Sequence, residues 1–401
     1  MSYREYLGGS FNEETQEFDK EIAKKEVYKR KSKLNIVLFG ATGVGKSSLV
    51  NAVFGEKIVK SGDGEPVTQF LEKIEIPSKG LTLWDTKGIE AKDYENTRGM
   101  LTKDIRKGFK DAFDSNNDDE APHVAWLCIK ESSRRVEERE HDLINIAKEF
   151  GIPTVVVFTD MEDEKGIGFF EMAKKKIDEQ HKDFVKDRYV RVNSVSYTFK
   201  GMTIPTCGLE ELINWTEDCF TEGQENTKKQ RQKYIEALRK AQEVDMQKKL
   251  NAMIESARKK VHFASAAAAT VGASPIPGSD APLIAAVQSK LIYALNSEFE
   301  VDEDNNKAVT MITGVLGATA IAQVGKAIVS NALKFIPVVG TLVGGAISAS
   351  TAAVLTQAVG HAYIRVLVAY FDKETGKTIL PEQTSAALAM FKDVFVKMPK
   401  K

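Results

Sequence analysis

The run Asn35-Ile-Val-Leu-Phe-Gly-Ala-Thr-Gly-Val-Gly-Lys-Ser-Ser-Leu-Val50 constrains this chain more than any other stretch. Ile36 to Phe39 is apolar and rich in β-branched residues, as a buried strand is, and Ser48 to Phe54 begins a helical apolar pattern. Between them, Gly40-Ala-Thr-Gly-Val-Gly-Lys46-Ser47 fits G-x-x-x-x-G-K-[ST] at every fixed position. Glycines there let successive backbone N–H groups turn inward around phosphate oxygens, and the helix N-terminus adds partial positive charge. The pattern predicts a nucleoside triphosphate site built from Thr42, Gly43, Val44, Gly45, Lys46, Ser47 and Ser48. Lys46 reaches the β- and γ-phosphates, and Ser47 holds Mg²⁺.

A length of 401 residues exceeds one ordinary core and implies two or three domains. Acidic and basic residues nearly cancel, 57 against 56, so no global charge argues for a nucleic-acid partner, and DNA is excluded. The three cysteines, Cys128, Cys207 and Cys219, form neither a disulfide framework nor a metal pattern, which points to a reducing, cytoplasmic setting. The five histidines are scattered without ligand spacing. Residues 1–33 are charged rather than apolar. They read as a helical extension with a basic second half, not as a secretory signal.

From residue 34 to 221 the pattern alternates strand and helix. Strand-like runs are Leu34–Phe39, Phe70–Ile76, Leu81–Trp84, Val124–Ile129, Thr154–Phe158 and Tyr189–Val192; helical patterns fill Lys46–Phe54, Thr97–Phe113, Val136–Phe150, Phe169–Val185 and Leu209–Cys219. That order predicts an α/β domain, a mostly parallel sheet flanked by helices, with ligands at the carboxyl ends of its strands. Residues 222–260 are charged and helix-favouring, a connecting helix with a narrow apolar stripe at Tyr234, Ile235, Leu238 and Ala241. Residues 261–401 turn rich in Ala, Gly, Val and Ile and predict an all-α domain, with helices at Pro282–Leu295, Ala308–Gly325, Ala327–Phe335 and Thr341–Tyr370. Pro275-Ile-Pro-Gly-Ser and Ile336-Pro-Val-Val-Gly-Thr, each between apolar helices, hint at duplicated hairpins.

Further positions fit a triphosphate switch. Thr68, in Gly64-Glu-Pro-Val-Thr-Gln69, is suited to ligate Mg²⁺ through its hydroxyl and to bond the γ-phosphate through its backbone. Asp85 ends the strand Leu81-Thr-Leu-Trp and opens Asp85-Thr-Lys-Gly88. Its carboxylate is placed to hold the metal, and the Gly88 N–H to meet the γ-phosphate. Lys46, Thr68, Asp85 and Gly88 are therefore the catalytic candidates, with Ser47, Thr68 and Asp85 as metal ligands.

In this order and spacing, GATGVGKS, EPVT and DTKG resemble the first three motifs of the Era-like, translation-factor-class GTPases. DTKG differs from the commoner DTPG at Lys87. The resemblance runs from Leu34 to about Phe220, where Cys207-Gly-Leu-Glu-Glu-Leu212 is similar to the last helix of those proteins. It implies GTP as substrate and Mg²⁺ as cofactor, with ATP left open by the base-reading segment. Where Asn/Thr-Lys-x-Asp is expected, the chain has Thr159-Asp160-Met161-Glu162-Asp163, without the lysine that would lie across the base. This spelling resembles the Thr-Arg-x-Glu-Asp variant of the septin-related, immune-associated GTPases. Glu162 takes the place of the base-reading aspartate, with Asp160 and Asp163 as alternatives. Asn193-Ser-Val195 resembles the weak fifth motif, whose backbone contacts the base.

Ile89 follows Gly88, where some GTPases carry a glutamine that orients the attacking water; isoleucine has no such group. Intrinsic hydrolysis is expected to be slow and to be raised by a dimer or a protein effector, with Arg134 and Arg135 as candidates to act in trans. Phe335–Val359 carries no charge and is long enough to cross a bilayer, yet it is rich in small residues, and Gln357 interrupts it. Ala332-Leu-Lys-Phe-Ile-Pro-Val-Val-Gly340 and Leu355-Thr-Gln-Ala-Val-Gly-His-Ala-Tyr363 resemble a bacterial helical domain of unknown function that follows such GTPase domains. The chain thus reads as a GTP-binding switch coupled to a helical effector domain. The alternative is a dynamin-like or immunity-related-like GTPase assembling at a membrane surface. A ribosome or RNA role ranks last, because no basic appendage is present.

Overall fold

A computed structural model describes residues 1–29, 31, 33–55, 65–86, 91–115, 117, 119–162, 164–199, 202–221, 228–271, 280–301, 311, 314–315 and 349–397. The chain divides into two compact units, Met1–Lys31 with Met246–Lys401, and Ser32–Asp245. The first unit opens with α1 (Tyr3–Leu7), the short pair β1 (Phe11–Asn12) and β2 (Glu17–Phe18), and α2 (Lys20–Lys29).

The second unit runs β3 (Leu34–Phe39), α3 (Lys46–Phe54), β4 (Glu65–Pro66), β5 (Leu71–Ile76), β6 (Leu81–Thr86), α4 (Ala91–Asp114), β7 (Val124–Lys130) and α5 (Glu138–Glu149). It continues through β8 (Thr154–Thr159), α6 (Glu164–Val185), β9 (Tyr189–Arg191), the hairpin β10 (Tyr197–Phe199) and β11 (Met202–Ile204), α7 (Leu209–Thr221) and α8 (Lys228–Ala241). The main sheet has the order β4-β5-β6-β3-β7-β8-β9. Strands β6, β3, β7, β8 and β9 are parallel, whereas β5 and β4 continue antiparallel at one edge.

All six residues of β3 are buried, because helices cover both faces of the sheet and leave no polar side. Ile36 and Leu38 pack with α3, α7 and α8, while Val37 and Phe39 pack with α4, α5 and α6. Trp126 of β7 stacks on Phe54 at 5.8 Å and donates its indole N–H to Thr216 Oγ1 at 3.0 Å. The stripe of α8 is buried here as Tyr234, Ala237, Leu238 and Ala241, and a non-helical break at 242–245 separates α8 from the next helix. The segment read as a single connecting helix is therefore two helices. Gln242 Oε1 accepts from the Val244 and Asp245 N–H groups at 2.7 Å and caps the turn between them.

The first unit resumes with α9 (Met246–Val271), α10 (Asp280–Glu298), α11 (Ala349–Ala369), the pair β12 (Phe371–Asp372) and β13 (Lys377–Thr378), and α12 (Thr384–Val396). Its core joins Tyr6, Leu7 and Val27 from the N-terminal end to α9, α10, α11 and α12. Lys290 of α10, nearly fully buried, donates to the Leu7 carbonyl at 2.8 Å and pairs with Glu26, and Phe18 stacks on Tyr293. At Gly360 a Cβ would lie 2.5 Å from a Val261 methyl, so α11 crosses α9 at a distance only glycine permits. Of the expected helix Ala308–Gly325, the described residues Met311, Gly314 and Val315 are helical, with Met311 and Val315 in this core. Ala327–Phe335, the start of Thr341–Tyr370 and both Pro-Gly motifs lie outside the described residues.

In the second unit His141 of α5 and His181 of α6 face each other, Nδ1 to Nε2, at 3.0 Å. Burial, the facing His141 and Lys148 push His181 down to about 4. An unfolded chain titrates this ring near 6.5 and so binds the extra proton between those values, draining stability as pH falls from 6.5 toward 4. The thermal midpoint should therefore drop on going from neutral to mildly acid buffer. His181→Gln, which cannot take the proton, should flatten that slope in a calorimetric pH series.

Candidate functional site

The phosphate loop leaves the end of β3 and enters α3. Gly40 (φ 139°) and Gly45 (φ 92°) occupy backbone conformations that glycine favours, and a Cβ on Gly40 would lie 2.6 Å from the Cys128 carbonyl oxygen. Gly45 is the N-cap of α3, which places the loop amides at a helix N-terminus. Lys46 is only 8% exposed. Its ammonium donates to the Gly40 carbonyl at 2.9 Å and the Ala41 carbonyl at 3.4 Å, and lies 3.5 Å from Asp85 Oδ1. Asp85 is brought there by the sheet, since Leu38 of β3 pairs with it in register.

Burial raises the Asp85 carboxyl above its usual range, against the opposing pull of Lys46, and Glu72 adds to the rise. Asp85 Oδ1 is buried and has no hydrogen-bond partner among the described residues, which leaves an acceptor suited to a hard cation. Ser47 is exposed in the first turn of α3 and offers a hydroxyl of the same kind. These two fit a magnesium site.

Thr68 is placed differently. Its N–H donates to the Leu71 carbonyl at 3.1 Å, and its methyl lies beside Gly108 of α4. The turn is pinned to α4 by the Phe70 N–H, which donates to Asp104 at 2.8 Å. No described contact joins Thr68 to Lys46, Ser47 or Asp85, although its hydroxyl is buried and lacks a hydrogen-bond partner among the described residues. Thr42 is exposed, while Gly88, Lys87 and Ile89 lie outside the described residues.

Beside the loop opens a cleft of about 240 Å³. Gly43, Val44, Gly45 and Ser48 line it from the phosphate loop, Thr159 and Asp160 from the end of β8, and Asn193, Ser194 and Val195 from the segment after β9. Thr159 Oγ1 donates to the Val44 carbonyl at 2.5 Å, so the end of β8 and the glycine loop are tied directly. Asn193 donates through Nδ2 to the Pro205 carbonyl at 2.8 Å, and its backbone exchanges two hydrogen bonds with Cys207, closing the foot of the β10–β11 hairpin.

Glu162, expected to accept from the base, does not line this cleft. Its carboxylate pairs with Arg134, its N–H donates to Glu131 Oε2 at 2.8 Å, and its carbonyl accepts from Arg191 at 2.6 Å. The cause lies beneath the loop, where fully buried Glu131 binds Arg191 through both oxygens and draws the Glu162 backbone onto itself. Asp163 lies outside the described residues, and Asp160 is the acidic residue that lines the cleft. Arg134 is engaged with Glu162, and Arg135 is exposed.

Two lining residues were not anticipated, Lys130 at the end of β7 and Tyr197 at the start of β10. Lys130 had a readable signal: it is the first charged residue after an apolar parallel strand, at the edge where ligands bind. Tyr197 had none, because its hairpin strands are three residues long and carry no periodicity.

Residues 35–160 match the model of the family described as 50S ribosome-binding GTPase. This segment has the fold of a P-loop GTPase domain. Residues 231–388 match a domain of unknown function, DUF697. The probable GTP-binding protein EngB of Koribacter versatilis (strain Ellin345) is 31% identical over 135 residues, which cover 33% of this chain and 64% of that protein. The chain thus spans less than two thirds of that relative's length. A crystal structure of a probable GTP-binding protein EngB is 18% identical, covering 46% of this chain and 97% of that one at a TM-score of 0.33. A structure of Era with MgGDPNP and a segment of 16S ribosomal RNA is 15% identical, covering 58% and 68% at a TM-score of 0.31.

The tie between Thr159 and Val44 yields a direct test of the GTPase domain. Thr159→Val keeps the shape but removes the donor to the part-buried Val44 carbonyl, and should lower the unfolding free energy by about 1 kcal/mol. Urea denaturation of the two proteins side by side checks this.

Proposed function

We propose that this chain is a GTP-binding switch that hydrolyses GTP to GDP and phosphate, slowly on its own, with the helical unit as its effector. The observation that carries the reading is the buried Lys46 ammonium, held at the mouth of a glycine loop by Gly40 and Asp85. An ammonium so placed is presented to a polyphosphate without having to be ordered at the moment of binding. The loop amides around Gly43–Gly45 and the start of α3 donate to the phosphate oxygens. Ser47 and Asp85 would hold magnesium, which when bound neutralises charge on the β- and γ-phosphate oxygens.

Thr68 would join Ser47 and Asp85 only after its turn leaves α4, which is the kind of ordering step a triphosphate drives in a switch. Asp160 in the cleft is an acceptor for the N–H groups of guanine, and the GTPase family match over residues 35–160 supports guanine over adenine. Ile89 gives attacking water no hydrogen-bonding side chain, so a second copy or a protein effector is the proposed accelerator.

Membrane assembly is the second reading. Among the described residues, Ala349–Ala369 is the helix long and apolar enough to cross a membrane, yet half of its most apolar window is buried inside the unit. Vesicle flotation with GTP, with GDP and without nucleotide separates the two readings.

The primary test is calorimetry with magnesium present. The wild-type chain should take up GTP and GDP in preference to ATP, and Lys46→Ala should weaken GTP binding about 100-fold, a loss near 2.7 kcal/mol. Asp85→Asn should remove the magnesium dependence of GTP affinity. No uptake of any purine triphosphate, or equal uptake by Lys46→Ala, sinks the proposal.

A further inference from the structure

We propose that Lys130, reaching from β7, is the residue that covers and orients the base, supplying the side chain that the base-reading segment lacks. The inference rests on the GTP-binding reading and deepens it. The segment Thr159-Asp160-Met161-Glu162 contains no long cationic side chain. Strand pairing sets Lys130 directly beside Thr159 across the parallel β7–β8 ladder, and Lys130 lines the same cleft as Asp160. Its ammonium lies 3.2 Å from Asp160 Oδ2.

Both partners of that pair are substantially exposed, 39% and 53%, so the pair adds little to stability and its value lies elsewhere. What the cleft gains is a four-carbon stem on a rigid strand end, an apolar strip for the face of a flat ring, with the charged head kept in water. Strand placement matters because the adjoining loop is anchored separately, through Glu131 on Arg191 and Arg134 on Glu162.

The ammonium also sets the chemistry of Asp160. By engaging Oδ2 it leaves Oδ1 to accept from the ring N–H and exocyclic amine of guanine. Adenine presents a lone pair where guanine presents the ring N–H, and so meets the carboxylate with repulsion. Lys130 is therefore a positioning and specificity residue on the base side, with no role at the phosphates.

Three proteins and three ligands decide this: wild type, Lys130→Ala and Lys130→Met, titrated calorimetrically with GDP, ADP and inorganic pyrophosphate, magnesium present. Lys130→Ala should weaken GDP binding about ten-fold, the scale of losing one stacked face, while pyrophosphate binds as in wild type. Lys130→Met keeps the stem and loses the charge. It should retain most GDP affinity but give up part of the preference over ADP. GDP binding by Lys130→Ala that equals wild type overturns the proposal, as does a parallel loss of pyrophosphate binding. A wild-type chain that takes up pyrophosphate but not GDP overturns the GTP reading as well, which separates the two failures.

Discussion

The site depends on one buried charge. An ammonium as enclosed as that of Lys46 is costly unless its protons are satisfied. Two carbonyls of the loop, Gly40 and Ala41, accept from it, and the Asp85 carboxylate 3.5 Å away balances its charge. The carbonyls are available because Gly40 adopts a backbone angle at which a side chain would strike the Cys128 carbonyl. The carboxylate is available because β6 lies beside β3 with Asp85 level with Leu38. Shift that register by one residue and the side chain moves to the opposite face of the sheet. Loop, strand order and register are thus one constraint, and the apolar filling of both sheet faces maintains it.

A second constraint works on the other side of the cleft. The exit of β7 supplies Lys130, Glu131 and Arg134 within five residues, and each engages a different part of the segment after β8. Glu131 is the interior one, buried without exposure, so removing Arg191 would leave its charge unpaired in the protein interior. The outer two pairs are exposed and individually weak. The inner pair therefore holds the segment after β8 in place, while the outer pairs stand at the exposed rim.

Much of this architecture was legible because parallel strands buried on both faces read as continuous apolar runs, and the helices between them as amphipathic ones. Short elements escaped. β4, β10 and β11 span two or three residues and show no period. The start of α4 at Ala91 was also hidden, since Ala91-Lys-Asp-Tyr-Glu-Asn is polar apart from Tyr94, which nevertheless is buried and bonds Asp142 at 2.5 Å. At the site, the phosphate loop could be read residue by residue because backbone geometry dictates its glycines. The base side could not, because Glu162 is turned away by a buried ion pair whose members, Glu131 and Arg191, are 60 residues apart. Linear spacing carries no trace of such a pair.

The helical unit is built from both ends of the chain. Tyr6, Leu7 and Val27 belong to the same core as α9 and α10, and Lys290 takes partners from the first thirty residues, the Leu7 carbonyl and Glu26. A lysine that is 2% exposed would be left in an apolar interior if those residues were absent, so the N-terminal segment is part of the fold rather than an appendage. It follows that the GTPase unit, Ser32–Asp245, is inserted within the helical one and tied to it covalently at both of its ends. A domain attached at one end can turn about a single linker without consequence for its neighbour. One attached at both is held to its neighbour by two connections rather than one, which is the covalent arrangement of these two units.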